Sequence, residues 1–455
     1  MNENLQIQFL GGAETVTGSK ILITYQGKRI LIDCGLFQGV KKLRLLNWKA
    51  FPIPPESIDA ILLTHAHLDH CGYIPVLVKN GFKGEIHCTY PTVDLAEIIL
   101  KDSGKIQEEE AERANLYGYT RHKPAKPLYT IKDALRSMPL FIPHNYKEWV
   151  ILGGDMKFCL RNSGHILGAA MIELKVGKKK LIFSGDIGRE KNLLLHHRSA
   201  IKTADLVVME STYGDRFHPT ASSKEELRAI IQATYRKKGI LFIPTFAVER
   251  AQELLFLLAE LKASHEIPNL PIYLDSPMGV DATRVILKNS EWHKLDEPSA
   301  LALSNVGHLI SDAATSRKIV ADKAPKIVLA GSGMITGGRI LHYLNNHIQS
   351  PRNTILLVGF QAEGTRGRSL LEGATELKFF GQYHQVGAEV QVIHSLSAHA
   401  DQRELLTWLR HFESPPKQLL LNHGELHQAN ALRVKIEHEL GWNVLIATTD
   451  KIFTL

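Results

Sequence analysis

The chain has 455 residues, 44% of them hydrophobic and 22% charged, the balance of a globular protein with enough core for two lobes rather than of a disordered or low-complexity segment. A net charge of +7 suits a polyanionic partner without demanding one. The polar start, Met1–Gln6, has no secretory-signal pattern, and no apolar run approaches the ~20 residues of a membrane span, so a cytoplasmic protein with no membrane partner is expected. Cys34, Cys71, Cys88 and Cys159 form no CxxC pair and are expected as buried thiols, not as disulfides or zinc ligands.

In chain order, residues 5–10, 19–25 and 28–33 run apolar or alternate, with breaks at Gly11-Gly12 and Gly27, and predict an opening β-meander. The short apolar run Ala60–Thr64 is a strand that leads straight into His65-Ala66-His67-Leu68-Asp69-His70. Side chains alternate in an extended loop, so His65 and His67 point the same way, while Asp69 and His70 turn toward the next helix and can reach a second ion. Imidazole with carboxylate is the donor set of zinc or a similar first-row metal. A helix is predicted over 92–118, its acidic run Glu108–Glu112 a solvated face. Strands follow at 149–152, 156–161, 170–176 and 180–184.

Three further strand ends carry polar residues among glycines: His165 between Gly164 and Gly168, Asp186 between Gly185 and Gly188, and His423 beside Gly424. Each is weak by itself. Together they are what a site for two dications needs.

From about residue 205 strands alternate with helices: 240–243 then 249–262, 326–329 then 338–347, and 354–358 then 366–372. That rhythm predicts parallel βαβ units. After about 385 a strand, helix, strand and final helix return, and no Pro- or Ser-rich linker separates the blocks. The expected domains are 1–205, an inserted module 206–385, and 386–455 returning to the first.

Asp33, the His65–His70 run, His165 and Asp186 resemble, in order, the motifs of the metallo-β-lactamase superfamily. Glu210–Asp215, His399 with Asp401, and His423-Gly424 resemble the further motifs of its β-CASP branch, which includes the endonuclease subunit of the eukaryotic cleavage-and-polyadenylation machinery. The resemblance covers nearly the whole chain. It implies an α/β fold, an αββα metallo-β-lactamase sandwich with an inserted β-CASP α/β domain, and two Zn2+ ions per chain. By resemblance, His65, His67 and His165 hold one zinc, and Asp69, His70 and His423 the other. Asp186 bridges them and Asp33 orients the histidine loop. The implied catalytic residues are Asp69, His399 as general acid, and Glu210 as its carboxylate partner.

Independently of the resemblance, the strand-to-helix junctions of the inserted module carry Arg250, Arg339, Arg366 and Arg368. A cation at a helix N-terminus is unfavourable unless an anion lies nearby, so these arginines are candidate contacts to RNA phosphates. The expected function is a zinc-dependent ribonuclease acting on single-stranded RNA, endonucleolytic because the chain ends soon after His423. The alternatives are a small-molecule thioesterase or lactonase of the same superfamily and a non-catalytic RNA-binding subunit. The sequence leaves a homodimer open.

Overall fold

The computed structural model describes residues 5–118, 122–219, 221–359, 361–449 and 451–455. The first four residues of the polar start lie outside that set. The chain divides into two compact units, the first running to Asn192 and taking in His196–Phe217 and His399–Leu455, the second Leu193–Leu195 and His218–Ala398.

The first unit has two seven-stranded sheets. One begins with the short strand Ile452–Thr454 and continues through the meander Gln6–Gly11, Lys20–Tyr25 and Lys28–Ile32, then Ala60–Leu62, Glu85–Thr89 and Phe141–His144. The other runs Val444–Ile446, Gln418–Asn422, Leu206–Glu210, Lys179–Phe183, Ala170–Val176, Met156–Asn162 and Trp149–Gly153. Alternation along each strand decides which core a side chain joins. Leu206 and Val208 pack with Phe9, Ile23, Leu62, Phe158 and Phe183 between the sheets. Val207 and Met209 face the other way, against Trp408 of helix Gln402–Leu409 and Leu432 of helix Leu426–Leu440. On the first sheet's side lies the long helix Tyr90–Tyr117, started by Thr89, whose hydroxyl accepts from the Thr92 N–H, and ended at left-handed Gly118. The layers are those of an αββα sandwich.

The second unit is a six-stranded, wholly parallel sheet in the order His308–Ile310, Ile272–Asp275, Ile327–Ala330, Leu241–Pro244, Thr354–Val358, Glu389–Ile393. Its inner strands Ile327–Ala330, Leu241–Pro244 and Thr354–Val358 are buried along their whole length, as a sheet covered on both faces requires. Phe242, Val328, Ile355, Tyr343 and Leu344 are among its buried core.

Both junctions differ from the expected 205/206 and 385/386. Leu206–Glu210 reads like the first strand of the βαβ rhythm, yet it lies parallel between Lys179–Phe183 and Gln418–Asn422 in the first unit. Glu389–Ile393 pairs along its whole length with Thr354–Val358 and so belongs to the second. Strand pairing, not local pattern, moves the inserted unit to 218–398. The four cysteines are free and buried. Among the described residues no helix is long and apolar enough to cross a membrane.

Candidate metal centre

The candidate residues of the first unit sit at or just beyond strand ends: Asp33 after Lys28–Ile32, His65 after Ala60–Leu62, His165 after Met156–Asn162, Asp186 after Lys179–Phe183, Glu210 at the end of Leu206–Glu210, and His423 after Gln418–Asn422. Asp33 and His423 have left-handed backbones, φ 59° and 47°, a conformation that non-glycine residues adopt rarely and that here turns each side chain inward. The histidine loop is strapped to its neighbours by backbone bonds: Ser19 N–H to Asp69 O (2.8 Å), Cys34 N–H to His70 O (2.7 Å) and Leu36 N–H to Leu68 O (3.0 Å). Gly35 leaves room for this strap, since a Cβ there would lie 1.6 Å from the Asp69 carbonyl oxygen.

The ring nitrogens converge in two groups. His65 Nε2 and His165 Nε2 lie 3.1 and 3.2 Å from His67 Nδ1, and 3.4 and 3.3 Å from Asp186 Oδ2. Asp186 Oδ1 lies 3.3 Å from His70 Nε2 and 3.5 Å from His423 Nε2, and Asp69 Oδ2 completes that group at 3.9 and 3.6 Å. Donors about 2.0–2.1 Å from one tetrahedral ion stand about 3.3 Å from each other, so both groups have the spacing of an N/O metal cage. His70 Nε2 and Asp186 Oδ1 are buried atoms without a hydrogen-bond partner, a costly arrangement unless a cation lies between them.

Thr64 and Asp33 set the tautomers. The Asp33 carboxylate accepts from the Thr64 N–H (2.8 Å) and hydroxyl (2.9 Å), and from His70 Nδ1 at 2.7 Å. His65 Nδ1 lies 3.0 Å from the Thr64 hydroxyl. The Nδ1 atoms of both rings thus face protein oxygens, and their Nε2 atoms face the cage. Sequence reasoning gives Thr64 no role; the available signal is a hydroxyl ending an otherwise apolar strand, directly before the histidines.

Burial, with the neighbouring imidazoles, holds His65 and His165 well below the usual histidine range, and burial lowers His67 to about 4, so all three rings are uncharged at neutral pH, the form that could bind a metal ion. Burial also resists charge on His70, but Asp186 and Asp33 outweigh it and raise its pKa well above 6.5. His399 is pushed up to about 9: burial opposes the charge, and Glu210 and then Asp186 overcome it. Its Nδ1 lies 3.0 Å from Glu210 Oε2 and 4.0 Å from Asp186 Oδ2. Glu210 is buried and also accepts from the Ile187 N–H. Asp186, Glu210 and His399 form a third cluster at metal-ligand spacing.

The arginines of the second unit have protein partners. Arg250 is buried and ion-paired with Glu253. Arg339 donates to Asp275 and to the Ile310 carbonyl (3.2 Å). Arg366 donates to the carbonyls of Lys378 (2.7 Å), Ile335 (3.1 Å) and Thr336 (3.2 Å). Arg368 pairs with Glu372 at 2.6 Å on an exposed helix turn. The unfavourable charge at Arg250 and Arg339 is met by carboxylates of the fold itself, so the anion inferred from the sequence is internal at those two positions.

Family models match three segments: the metallo-β-lactamase superfamily over residues 16–237, a β-CASP domain over 251–370, and a "Zn-dependent metallo-hydrolase RNA specificity domain" over 383–447. The chain is 35% identical to Ribonuclease TTHA0252 of Thermus thermophilus, across 94% of this chain and 95% of that one. It is 31% identical to an RNase J-like protein of Methanocaldococcus jannaschii, with 94% and 95% covered, and 32% identical to the transcription termination factor FttA of the same organism, with 92% and 67% covered. A solved structure of a protein of unknown function from Enterococcus faecalis shares the fold at TM-score 0.54 and 14% identity, covering 99% of this chain and 100% of that one. With the sandwich, the inserted parallel sheet and the clustered histidines, these likenesses establish that the chain belongs to the β-CASP branch of the metallo-β-lactamase superfamily, a family of metal-dependent hydrolases.

Proposed function

We propose that the chain is a zinc-dependent ribonuclease that cuts single-stranded RNA internally. The observation that carries this reading is Asp186, which offers one oxygen to each of two candidate ligand groups and lies 4.0 Å from His399 Nδ1. His65, His67, His165 and Asp186 would hold one ion; Asp69, His70, His423 and Asp186 would hold the other. Bound there, divalent ions supply charge neutralisation for a phosphoryl group and lower the pKa of water.

The chain's own residues do the rest. Asp33 and Thr64 fix the ring orientations. Asp69, whose side chain is 20% exposed against 2% for Asp186, is the carboxylate placed to accept a proton from the attacking water. His399 gives its Nε2 proton to the leaving oxygen, because Nδ1 is committed to Glu210, and its raised pKa keeps it charged at neutral pH. The names carried by the relatives favour this reading over a small-molecule hydrolase. The test is to incubate the protein with 5′- and 3′-labelled single-stranded RNA and map the first products. Internal cuts that disappear with a chelator and return with zinc support the reading; stepwise loss from one end overturns the endonucleolytic part, and intact RNA overturns the whole.

A further inference from the structure

The segment between Leu36 and Pro55 has no part in the metal cage. It contains no acidic residue, and Lys41, Lys42, Arg44 and Lys49 fall within nine positions. It forms a helical turn, Lys41–Arg44, that continues as a tight turn, Leu45–Trp48. Its inner side is fixed. The Asn47 side chain is buried and makes a two-way bond to the Phe37 backbone, accepting from N–H at 2.9 Å and donating to O at 2.8 Å. The Phe37 ring covers Gly18 and lies 4.5 Å from Lys20 Nζ. At its base, Leu36 is bonded to Leu68, beside Asp69.

The outer side is the unusual part. Lys41, Arg44, Leu45 and Trp48 are spaced to share one helical face, and Leu45 and Trp48 are 51% and 59% exposed. Some exposed cations of this unit are paired, Lys28 with Asp59 at 3.0 Å and Lys101 with Glu97 and Arg113 with Glu109 at 3.3 Å, and others such as Lys83, Lys105 and Lys132 have no ion pair among the described residues; here four fall within nine residues beside an exposed indole. Among the described residues, Lys41, Lys42, Arg44 and Lys49 have no ion pair. An exposed indole amid unpaired cations, on a rigid base bonded to the histidine loop, matches one chemistry well: stacked bases on a phosphate backbone. A membrane-surface helix needs a longer apolar face than Leu45 and Trp48 offer, and four unpaired cations with no acidic residue favour a polyanion.

We propose that this segment is a docking surface for unpaired RNA next to the cleaved phosphate, with Trp48 as stacking platform and Lys41, Lys42 and Arg44 as phosphate contacts. The proposal rests on the ribonuclease reading of the adjacent cage. A base inside a duplex has no free face for the indole, so the surface discriminates single strands from double strands.

The experiment measures anisotropy of a labelled 20-nucleotide RNA on the metal-loaded His399→Ala protein, so that turnover does not consume the probe. Trp48→Ala added to that background is expected to weaken single-strand binding about fivefold or more, Trp48→Tyr to restore most of it, and affinity for a blunt duplex to stay the same. The triple change Lys41→Gln, Lys42→Gln, Arg44→Gln is expected to reduce the log K against log[salt] slope by about 0.7 for each phosphate no longer neutralised, whereas Arg113→Ala leaves it unchanged. Equal single-strand affinities with and without Trp48 overturn the surface, even if the wild-type protein cuts RNA. Failure of the wild-type protein to cut RNA, with the Trp48 difference intact, overturns the reading of the cage and supports the surface.

Discussion

Asp186 of the first unit and Asp275 of the second are both fully or almost fully buried carboxylates at the carboxyl end of a strand in parallel pairing, and their surroundings differ in kind. Asp275 takes hydrogen bonds from Ser316 Oγ and Tyr343 Oη, both at 2.6 Å, and an ion pair from Arg339. Its needs are met by the chain. Asp186 faces the ring nitrogens of His65, His70, His165, His399 and His423, of which those of His65 and His165 belong to rings held neutral by burial, and its Oδ1 has no hydrogen-bond partner. One carboxylate is closed off by two hydroxyls and an arginine, and the other is the point on which the ring nitrogens of five histidines converge. Burial alone does not separate a functional acid from a structural one; the inventory of partners does.

Removing the charge at Asp186 is the most severe way to test that contrast. Asp186→Asn keeps the shape but is expected to strip metal from both ligand groups and abolish hydrolysis, measured by plasma emission and RNA cleavage. Retention of the full wild-type metal content would show that Asp186 is as structural as Asp275. Next in size is His399→Ala, expected to keep its metal and bind RNA while cleavage falls by about 10²–10⁴. A substrate with a sulfur leaving group, which needs no proton, should regain much of that loss. The sign of the pH effect follows from the raised pKa. His399 is active when protonated, so the rate declines as pH rises through its pKa, about 9 for the chain alone. Glu210→Gln removes the main charge holding the proton and should shift that basic limb to lower pH; an unmoved limb would break the link between the two residues.

Arg339→Ala probes the other side of the comparison. It leaves the buried Asp275 charge without its cation and should cost about 3–5 kcal/mol in urea unfolding, with metal content unchanged. A stability loss below about 1 kcal/mol, with weaker RNA binding, would return Arg339 to the role inferred from its helix-start position. Arg368→Ala is the mildest change. Its pair with Glu372 is exposed and contributes well under about 1 kcal/mol. If Arg368 touches a phosphate, the salt dependence of RNA binding should shrink by about 0.7.

How much of this is legible depends on distance along the chain. The His65–His70 run is compact enough to read as a ligand loop, and its extended geometry follows from the strand before it. His165, Asp186 and His423 join it only through the pairing of distant strands, which local periodicity does not encode; the resemblance supplies what spacing cannot. Arg339 shows the same limit from the opposite direction. Its helix-start position correctly signals an anion nearby, but the anion is Asp275, in an earlier strand that the apolar pattern of the module does not reveal. Helix Pro277–Lys288, which follows that strand, opens with Pro277-Met278-Gly279, and its start depends on the Ser276 cap. Glu210 reads as the beginning of a new domain because its strand is as apolar as those that follow it.

Gly35 carries no donor atom, touches no ion and would pass unnoticed in a search for chemistry. Yet its missing methyl is what lets the Asp69 peptide lie against the strand that delivers Asp33. A saturation mutagenesis screen scored on RNA cleavage should therefore give position 35 the tolerance profile of a histidine ligand, rejecting even alanine. A position's intolerance in such a map records the space it must leave empty as faithfully as the bond it must make.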